Sequence, residues 1–225
     1  MRRFLPLVVL SLSSLNLSTA AEKPNVLFII TDDLNCNIGV YDHPVVQTPH
    51  IDRLARQGVT FLNAHCNFPQ CGQSRASFMT GLYPRQTGVI HYQQLFRDYI
   101  PDVVTMPQHF MAHGYTSARV GKLYHYNNPA DVGTNGHDDK LSWHERINPR
   151  GIDKDLEDVT FSLKKGSFGG TMSWLAAPGE DEDHTDGMVA TESIALLERY
   201  AESNEPFFLG VGFFKPHTPY VAPAK

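Results

Sequence analysis

Pro24-Asn25-Val26-Leu27-Phe28-Ile29-Ile30-Thr31-Asp32-Asp33 is an unbroken apolar run, opened by a proline and closed by two carboxylates. Its length and β-branched content predict a strand buried on both faces, as at the parallel centre of an α/β sheet. Open α/β folds place ligand chemistry at the C-terminal ends of such strands, which is where Asp32 and Asp33 fall. Paired carboxylates there offer hard oxygen ligands suited to Ca²⁺ or Mg²⁺, although Asp-Asp after a strand is more often a turn or a helix cap.

Working outward, Pro206 to Phe214 reads as a second buried strand and Tyr115 to Val120 as another. Thr48 to Gly58 carries helix signals at both ends: Thr48 can cap, Pro49 suits the first turn, Ile51, Leu54 and Ala55 form an apolar face, and Gly58 stops it. Val59 to Ala64 then reads as a strand, and helices are predicted from Met106 to His113, with Thr105 as cap, and from about Thr185 to Ala201. Asn127 to Glu182 is polar and loop-rich, with Trp143 and Trp174 as local anchors and Asp181-Glu182-Asp183 as a solvated acidic turn. Strands alternating with helices predict an α/β fold.

The 225 residues carry a formal charge of −5 and 41% apolar side chains, which suits a globular core and argues against a nucleic-acid binder. Residues 1–20 read as a signal peptide: Arg2-Arg3, an apolar run from Phe4 to Leu12, and a small-residue cleavage site at Ser18-Thr19-Ala20. Ser11, Ser13, Ser14 and Asn16 break that run too early for stable membrane insertion, so the expected location is periplasmic or secreted. In an oxidising compartment Cys36 and Cys66 could pair, or could stand as two separate buried thiols.

Three further stretches hold candidate chemistry. Cys71-Gly-Gln-Ser-Arg75-Ala-Ser-Phe-Met-Thr-Gly81 predicts a short helix with Cys71 at its start and Arg75 one turn on. A cysteine and an arginine over the positive end of a helix suit a tetrahedral oxyanion such as sulfate or phosphate. Gly121-Lys122-Leu123-Tyr124-His125 follows a strand directly and aims Lys122 and His125 the same way; alone, such a pair is usually solvated surface. Lys215-Pro216-His217-Thr218-Pro219 would hold His217 in a defined direction, where a histidine could protonate a leaving alcohol near neutral pH or merely brace a loop. The aromatic-polar patch His91 to Arg97 reads equally well as a substrate contact or as an ordinary connecting loop.

Taken in order, these motifs resemble the type I sulfatases, and within them the iduronate-2-sulfatase group most of all. Cys71-x-x-Ser74-Arg75 with Thr80-Gly81 is similar to the family signature Cys-x-Pro-Ser-Arg, except that Gln73 stands where the signature has proline. Asn-Val-Leu-Phe-Ile-Ile-Thr-Asp-Asp, Thr-Pro-His-Ile-Asp-Arg-Leu-Ala, Gly-Lys-x-x-His and Lys-Pro-His-x-Pro are each similar to family wording too. The resemblance implies an alkaline-phosphatase-like α/β/α sandwich with a mainly parallel sheet. It implies Cys71 oxidised to formylglycine by a maturation enzyme, and Ca²⁺ bound by Asp32, Asp33 and residue 71. It also implies sulfate held by Arg75, Lys122 and His125, His217 as proton donor, and a sulfated carbohydrate as substrate. Other readings of the same motifs are a phosphatase or phosphonate hydrolase, and a non-catalytic anion-binding protein.

Two expectations follow. Asp32, Asp33, Cys71, Arg75, Lys122, His125 and His217 should converge at the C-terminal edge of one sheet. Residues 21–225 should form the N-terminal portion of a sulfatase catalytic domain, truncated before its C-terminal part. That portion would leave the Phe207 to Phe214 strand with uncovered surface, and would be poorly soluble, weak in calcium binding and inactive alone.

Overall fold

The computed structural model describes residues 23–224, so the predicted signal segment lies outside the described residues. Among the described residues, seven strands and six α-helices follow in chain order. The strands are β1 (Val26–Asp32), β2 (Thr116–Gly121), β3 (Glu145–Ile147), β4 (Phe161–Ser162), β5 (Ser173–Ala177), β6 (Phe207–Pro216) and β7 (Tyr220–Pro223). The helices are α1 (Pro49–Gln57), α2 (Cys71–Thr80), α3 (Pro84–Thr87), α4 (Met106–Ala112), α5 (Ile152–Asp155) and α6 (Thr185–Ser203).

The main sheet has the order β1-β6-β2-β3, and every pairing in it is parallel, so all four strands end at the same edge. A smaller sheet, β4-β5-β7, combines one antiparallel and one parallel pair. Helices cover both faces of the main sheet, as parallel connections require. On one face Ala76 and Met79 of α2 and Phe110 of α4 pack with Phe28 and Phe208. On the other, Val189, Leu196 and Tyr200 of α6 pack with Ala118, Val120, Leu209 and Val211. The α/β class and the layered parallel sheet are as the sequence predicts.

The burial of the strands differs from expectation. β6 is the buried centre, whereas β1 has β6 as its only ladder partner among the described residues. Val26, Phe28 and Ile30 of β1 pack inward, but Leu27 is 44% and Ile29 53% exposed, so β1 is not buried on both faces. A continuous apolar run cannot tell a central strand from one with a single neighbour. The uncovered apolar row thus lies on β1 and not on the Phe207 to Phe214 strand.

Other local expectations also change. Val59 to Ala64 forms no strand; Val59, Phe61 and Leu62 are exposed, with no ladder to join. Helix α1 forms, but Thr48 makes no side-chain cap; its hydroxyl accepts from Gly39 N–H and donates to Asp52. Ile51 and Leu54 of its apolar face are exposed. Helix α4 forms with Thr105 as a true cap, in a reciprocal pair with Gln108. Trp143 is buried in the core, but Trp174, tilted against Phe161, stays 45% exposed and anchors little. Asp181–Asp183 is an exposed 3-10 turn. Cys36 and Cys66 are both free and exposed, so they are neither paired nor buried.

Candidate active site

Each of the three adjacent parallel strands β1, β6 and β2 delivers side chains at its C-terminal end: Asp32 from β1, Lys122 and His125 just after β2, and His217 just after β6. Gly121, with φ 72°, lets β2 turn sharply against β6: a Cβ there would lie 2.2 Å from the Gly212 carbonyl. Lys122 N–H then donates to that same carbonyl at 2.8 Å, which fixes where its side chain begins. Helix α2 points its N-terminus at this edge. Gln70 is extended before it, Cys71 is its first residue, and Gly81, with φ 72°, closes it through an N–H bond to Ser77 O.

An ion triad binds the elements together. Asp32 is 2% exposed and accepts from Arg75 at 2.9 Å through one oxygen and from the Lys122 ammonium through the other. Arg75 also donates to the carbonyls of Lys122 at 2.7 Å and Leu123 at 2.9 Å, so one guanidinium joins α2, β1 and the end of β2. Burial by itself would push Asp32 up, but Arg75 and Lys122 outweigh it and hold the carboxyl at about 2. Burial pulls Lys122 down against the attraction of Asp32. With two buried cations set against one buried anion, the triad leaves a net positive charge beneath Cys71.

Cys71 Sγ lies 3.2 Å from His125 Nδ1. Burial raises the thiol above its ordinary value, and burial together with Lys122 lowers His125 to about 4. Both groups are therefore neutral near pH 7, and the pair is not a thiolate–imidazolium nucleophile. Tyr92 packs edge-on against His125, with ring centroids 5.7 Å apart. Asp33 takes a left-handed turn at φ 62°, which swings its carboxylate outward to 3.8 Å from His217 Nε2. Two cavities meet at Cys71 and Asp33. One of about 560 Å³ is also lined by Tyr92, Asn127, Phe168 and His217, and one of about 350 Å³ by Asp32, Ser74 and Arg75.

All seven predicted residues come to the one sheet edge, but their duties divide. Lys122 is fully buried and Arg75 nearly so, and both are paired with Asp32. Of the His91 to Arg97 patch, Tyr92 lines the large cavity, while Arg97 ties Asp139, Gln108 and two backbone carbonyls together. Asp32 and Asp33 have the chemistry of calcium donors. However, no three His, Cys, Asp or Glu side chains assemble as a metal group among the described residues. Both Asp32 oxygens already serve protein cations, so these residues do not make a calcium site by themselves.

Asp186 and His137 escaped the sequence, and Gln73 was marked there only as a departure from the signature. Asp186, in the first turn of α6, accepts from Phe214 N–H and Lys215 N–H, each at 2.8 Å. Those two amides leave the ladder at a bulge: Thr31 pairs with Phe213, but Asp32 pairs with Pro216. Asp186 thereby sets the exit of β6 and the course of the His217 loop. Gln73 is fully buried; its amide nitrogen donates to Gln70 Oε1 at 2.7 Å and Ile90 O at 2.9 Å, while its own Oε1 has no hydrogen-bond partner. His137 donates its backbone N–H to His125 O at 2.9 Å. An acidic residue early in a helix was the one available hint for Asp186; nothing marked His137.

Comparison with known proteins agrees with the motifs. The sulfatase family profile matches residues 24–225. A sulfatase from Formosa agariphila is 36% identical over 218 residues, covering 91% of this chain and 41% of that protein. Human iduronate 2-sulfatase is 32% identical over 211 residues, covering 92% of this chain and 37% of that protein. The chain thus spans about two fifths of the length of these curated relatives. Among solved structures, a phosphonate monoester hydrolase of Agrobacterium radiobacter superposes with a TM-score of 0.67 at 22% identity, covering 89% of this chain and 42% of that one. An alkaline phosphatase superfamily protein from Vibrio parahaemolyticus superposes with a TM-score of 0.54 at 17% identity, covering 89% and 42%. At those identities the structural likenesses bear on the fold.

Proposed function

The chain belongs to the sulfatase family, and on that premise we propose that it carries the sulfate-ester hydrolysis site of an exported enzyme acting on sulfated carbohydrate, in the manner of the iduronate 2-sulfatases. The observation that carries the reading is the placement of Cys71: first residue of a buried helix, above the Asp32–Arg75–Lys122 triad, touching a neutral histidine, at the junction of two cavities.

A protonated thiol beside a neutral imidazole is a weak nucleophile, which favours a different group at position 71. Formylglycine, made from Cys71 by a maturation enzyme, supplies as its hydrate an oxygen nucleophile and a second hydroxyl that lets sulfate depart. His125 Nδ1 stands within hydrogen-bond reach of that side chain and can accept its hydroxyl proton. The net charge of the triad favours an anionic sulfate at the helix N-terminus and offsets charge that develops on its oxygens. His217, on the wall of the large cavity, is placed to give its proton to the departing alcohol oxygen. Asp33 Oδ2 stands 3.8 Å from its Nε2. Calcium at Asp32, Asp33 and residue 71 belongs to the same proposal but needs donors beyond these carboxylates, and none of the steps above depends on it.

The test joins mass spectrometry to turnover in the full-length protein, expressed with a formylglycine-generating enzyme. The Cys71 peptide should carry an aldehyde, and an aryl sulfate and a sulfated disaccharide should release sulfate. A phosphonate monoester serves as the control substrate. Unmodified thiol with no sulfate release, or preferential cleavage of the phosphonate, would overturn the reading.

A further inference from the structure

The small sheet carries three aromatic rings in one row on its open face. Phe161 of β4 stands opposite Trp174 of β5, and Trp174 opposite Tyr220 of β7. Residues paired directly across strands point to the same face, so the three side chains lie abreast over roughly 10 Å, two strand spacings. They are 50%, 45% and 46% exposed, while Ser173, Ala177 and Val221 turn to the opposite, buried face. Phe161 and Trp174 touch, with ring centroids 4.3 Å apart. Beyond the row the same face continues with Ala176 and Ala222, both exposed and too small to overhang it. An exposed aromatic surface of this kind marks a place where something binds.

Position and charge say what that is. Phe168 and Gly169, in the hairpin that joins β4 to β5, line the large cavity at Cys71. The Thr218 hydroxyl donates to Gly169 O at 2.9 Å, which ties this hairpin to the His217 loop. β7 begins with Tyr220, three residues after His217, a separation of at most about 11 Å. The aromatic row is therefore continuous with the cavity. At the turn of the same hairpin Lys164 and Lys165 are exposed, and neither joins an ion pair among the described residues. Glu157, the acid that lines the cavity just before β4, is already paired with Lys154. In a chain of net charge −5, two unpaired cations beside an aromatic row favour an anionic partner there. A pyranose ring presents C–H groups on its faces and hydroxyl or sulfate groups at its rim. A sulfated glycan can thus stack on the aromatic rings while its anions meet the lysines.

We infer that the Phe161–Trp174–Tyr220 row, with Lys164 and Lys165, is a glycan-binding surface that extends the site beyond its cavity. Sugar units next to the one in the cavity lie along the row. The substrate is then a sulfated oligosaccharide or polysaccharide held along its chain, rather than a free sulfated monosaccharide. This rests on the sulfatase reading for the reaction, but binding on the row does not require turnover.

The experiment titrates full-length protein in its unmodified thiol form, where no turnover intervenes, with di-, tetra- and octasaccharides prepared from heparin, chondroitin sulfate and a sulfated galactan. In at least one series affinity should rise about tenfold or more from disaccharide to octasaccharide. Trp174→Ala combined with Tyr220→Ala should erase that rise and leave disaccharide binding as it was. Lys164→Ala combined with Lys165→Ala should weaken octasaccharide binding about 3–10-fold at low salt, and less at high salt. In the modified enzyme the aromatic double variant should raise KM for the octasaccharide with kcat nearly unchanged, and leave aryl sulfate hydrolysis at the wild-type rate. Absent or length-independent binding in every series overturns the inference, as does a folded aromatic double variant that binds the octasaccharide like wild type. So does acrylamide quenching that is the same in wild type and Trp174→Phe, because the row would then be covered by another part of the chain or by a second copy. Length-dependent binding with no sulfate release would uphold the surface and overturn the proposed reaction.

Discussion

Replacing Asp186 by alanine tests whether the exit of β6 is held from outside the sheet. The carboxylate takes the two amides of the bulge, Phe214 and Lys215, each at 2.8 Å. Hydrogen bonds to a charged acceptor contribute about 1.5–3 kcal/mol apiece, and water can re-solvate the half-buried Lys215 more readily than the buried Phe214. A net loss of about 3–4 kcal/mol is expected, a large share of the roughly 5–15 kcal/mol typical of a folded domain. His217 lies two residues past Lys215, and a displacement of about 1 Å at a reacting group costs about 100-fold in rate. Urea unfolding followed by Trp143 and Trp174 fluorescence would give the first quantity, and sulfate release by the modified full-length enzyme the second. Asp186→Asn, which keeps one acceptor and turns the other into a donor facing an N–H, should fall between wild type and alanine in both. A cost below about 1 kcal/mol, or unimpaired turnover in Asp186→Ala, would refute the argument.

Burial raises the Asp186 pKa against the opposing pull of its two amide donors and Lys215. The stability it contributes is therefore full below the unfolded carboxylate value and declines as pH rises through the raised one, so the gap between wild type and Asp186→Asn in urea melts should narrow with rising pH. Cys71→Ala should abolish sulfate release yet leave the unfolding midpoint almost unchanged, since its one side-chain hydrogen bond is to His125. Gln73→Pro should fold, because the third residue of a helix has no intrahelical acceptor for its N–H; it should cost about 1–2 kcal/mol in urea melts for the lost bonds to Gln70 and Ile90. If the modifying enzyme reads proline at this position, that variant should also raise the aldehyde fraction at residue 71 in peptide mass spectra.

The legible parts of this chain were those where one residue type suffices. The apolar runs before Asp32 and Lys215, short and rich in β-branched or aromatic residues, read as strands, and Gly58 and Gly81 marked where helices stop. Convergence of the site followed from parallel strands, since every strand end then lies on one edge. What could not be read was who neighbours whom. Leu27 and Phe28 look alike in sequence, yet one faces solvent and the other the core, because α2 and α4 cover one face of β1 while α6, on the other face, packs on β2 and β6. Val59, Phe61 and Leu62 have strand-like composition but no ladder to enter. Asp32 was legible as a carboxylate in the site, but not as the buried counter-ion of Arg75 and Lys122, because that role depends on two segments about 40 and 90 residues away.

The pairing of β1 with β6 also has a consequence in time. Synthesis runs from the N-terminus, and β1 can enter the sheet only after β6, whose last residue is Pro216, has been made. Until β6 slots between β1 and β2, Asp32 and Lys122 lack their common frame, and the helix that begins at Cys71 has no completed sheet to close over. At about 5–20 residues per second, the roughly 145 residues between Cys71 and Pro216 take on the order of 7–30 s to appear. For that interval the thiol belongs to an unfinished chain, open to any enzyme that must reach it, before the same side chain becomes half-buried against His125. Strand order thus gives residue 71 a period of accessibility that ends when the fold completes.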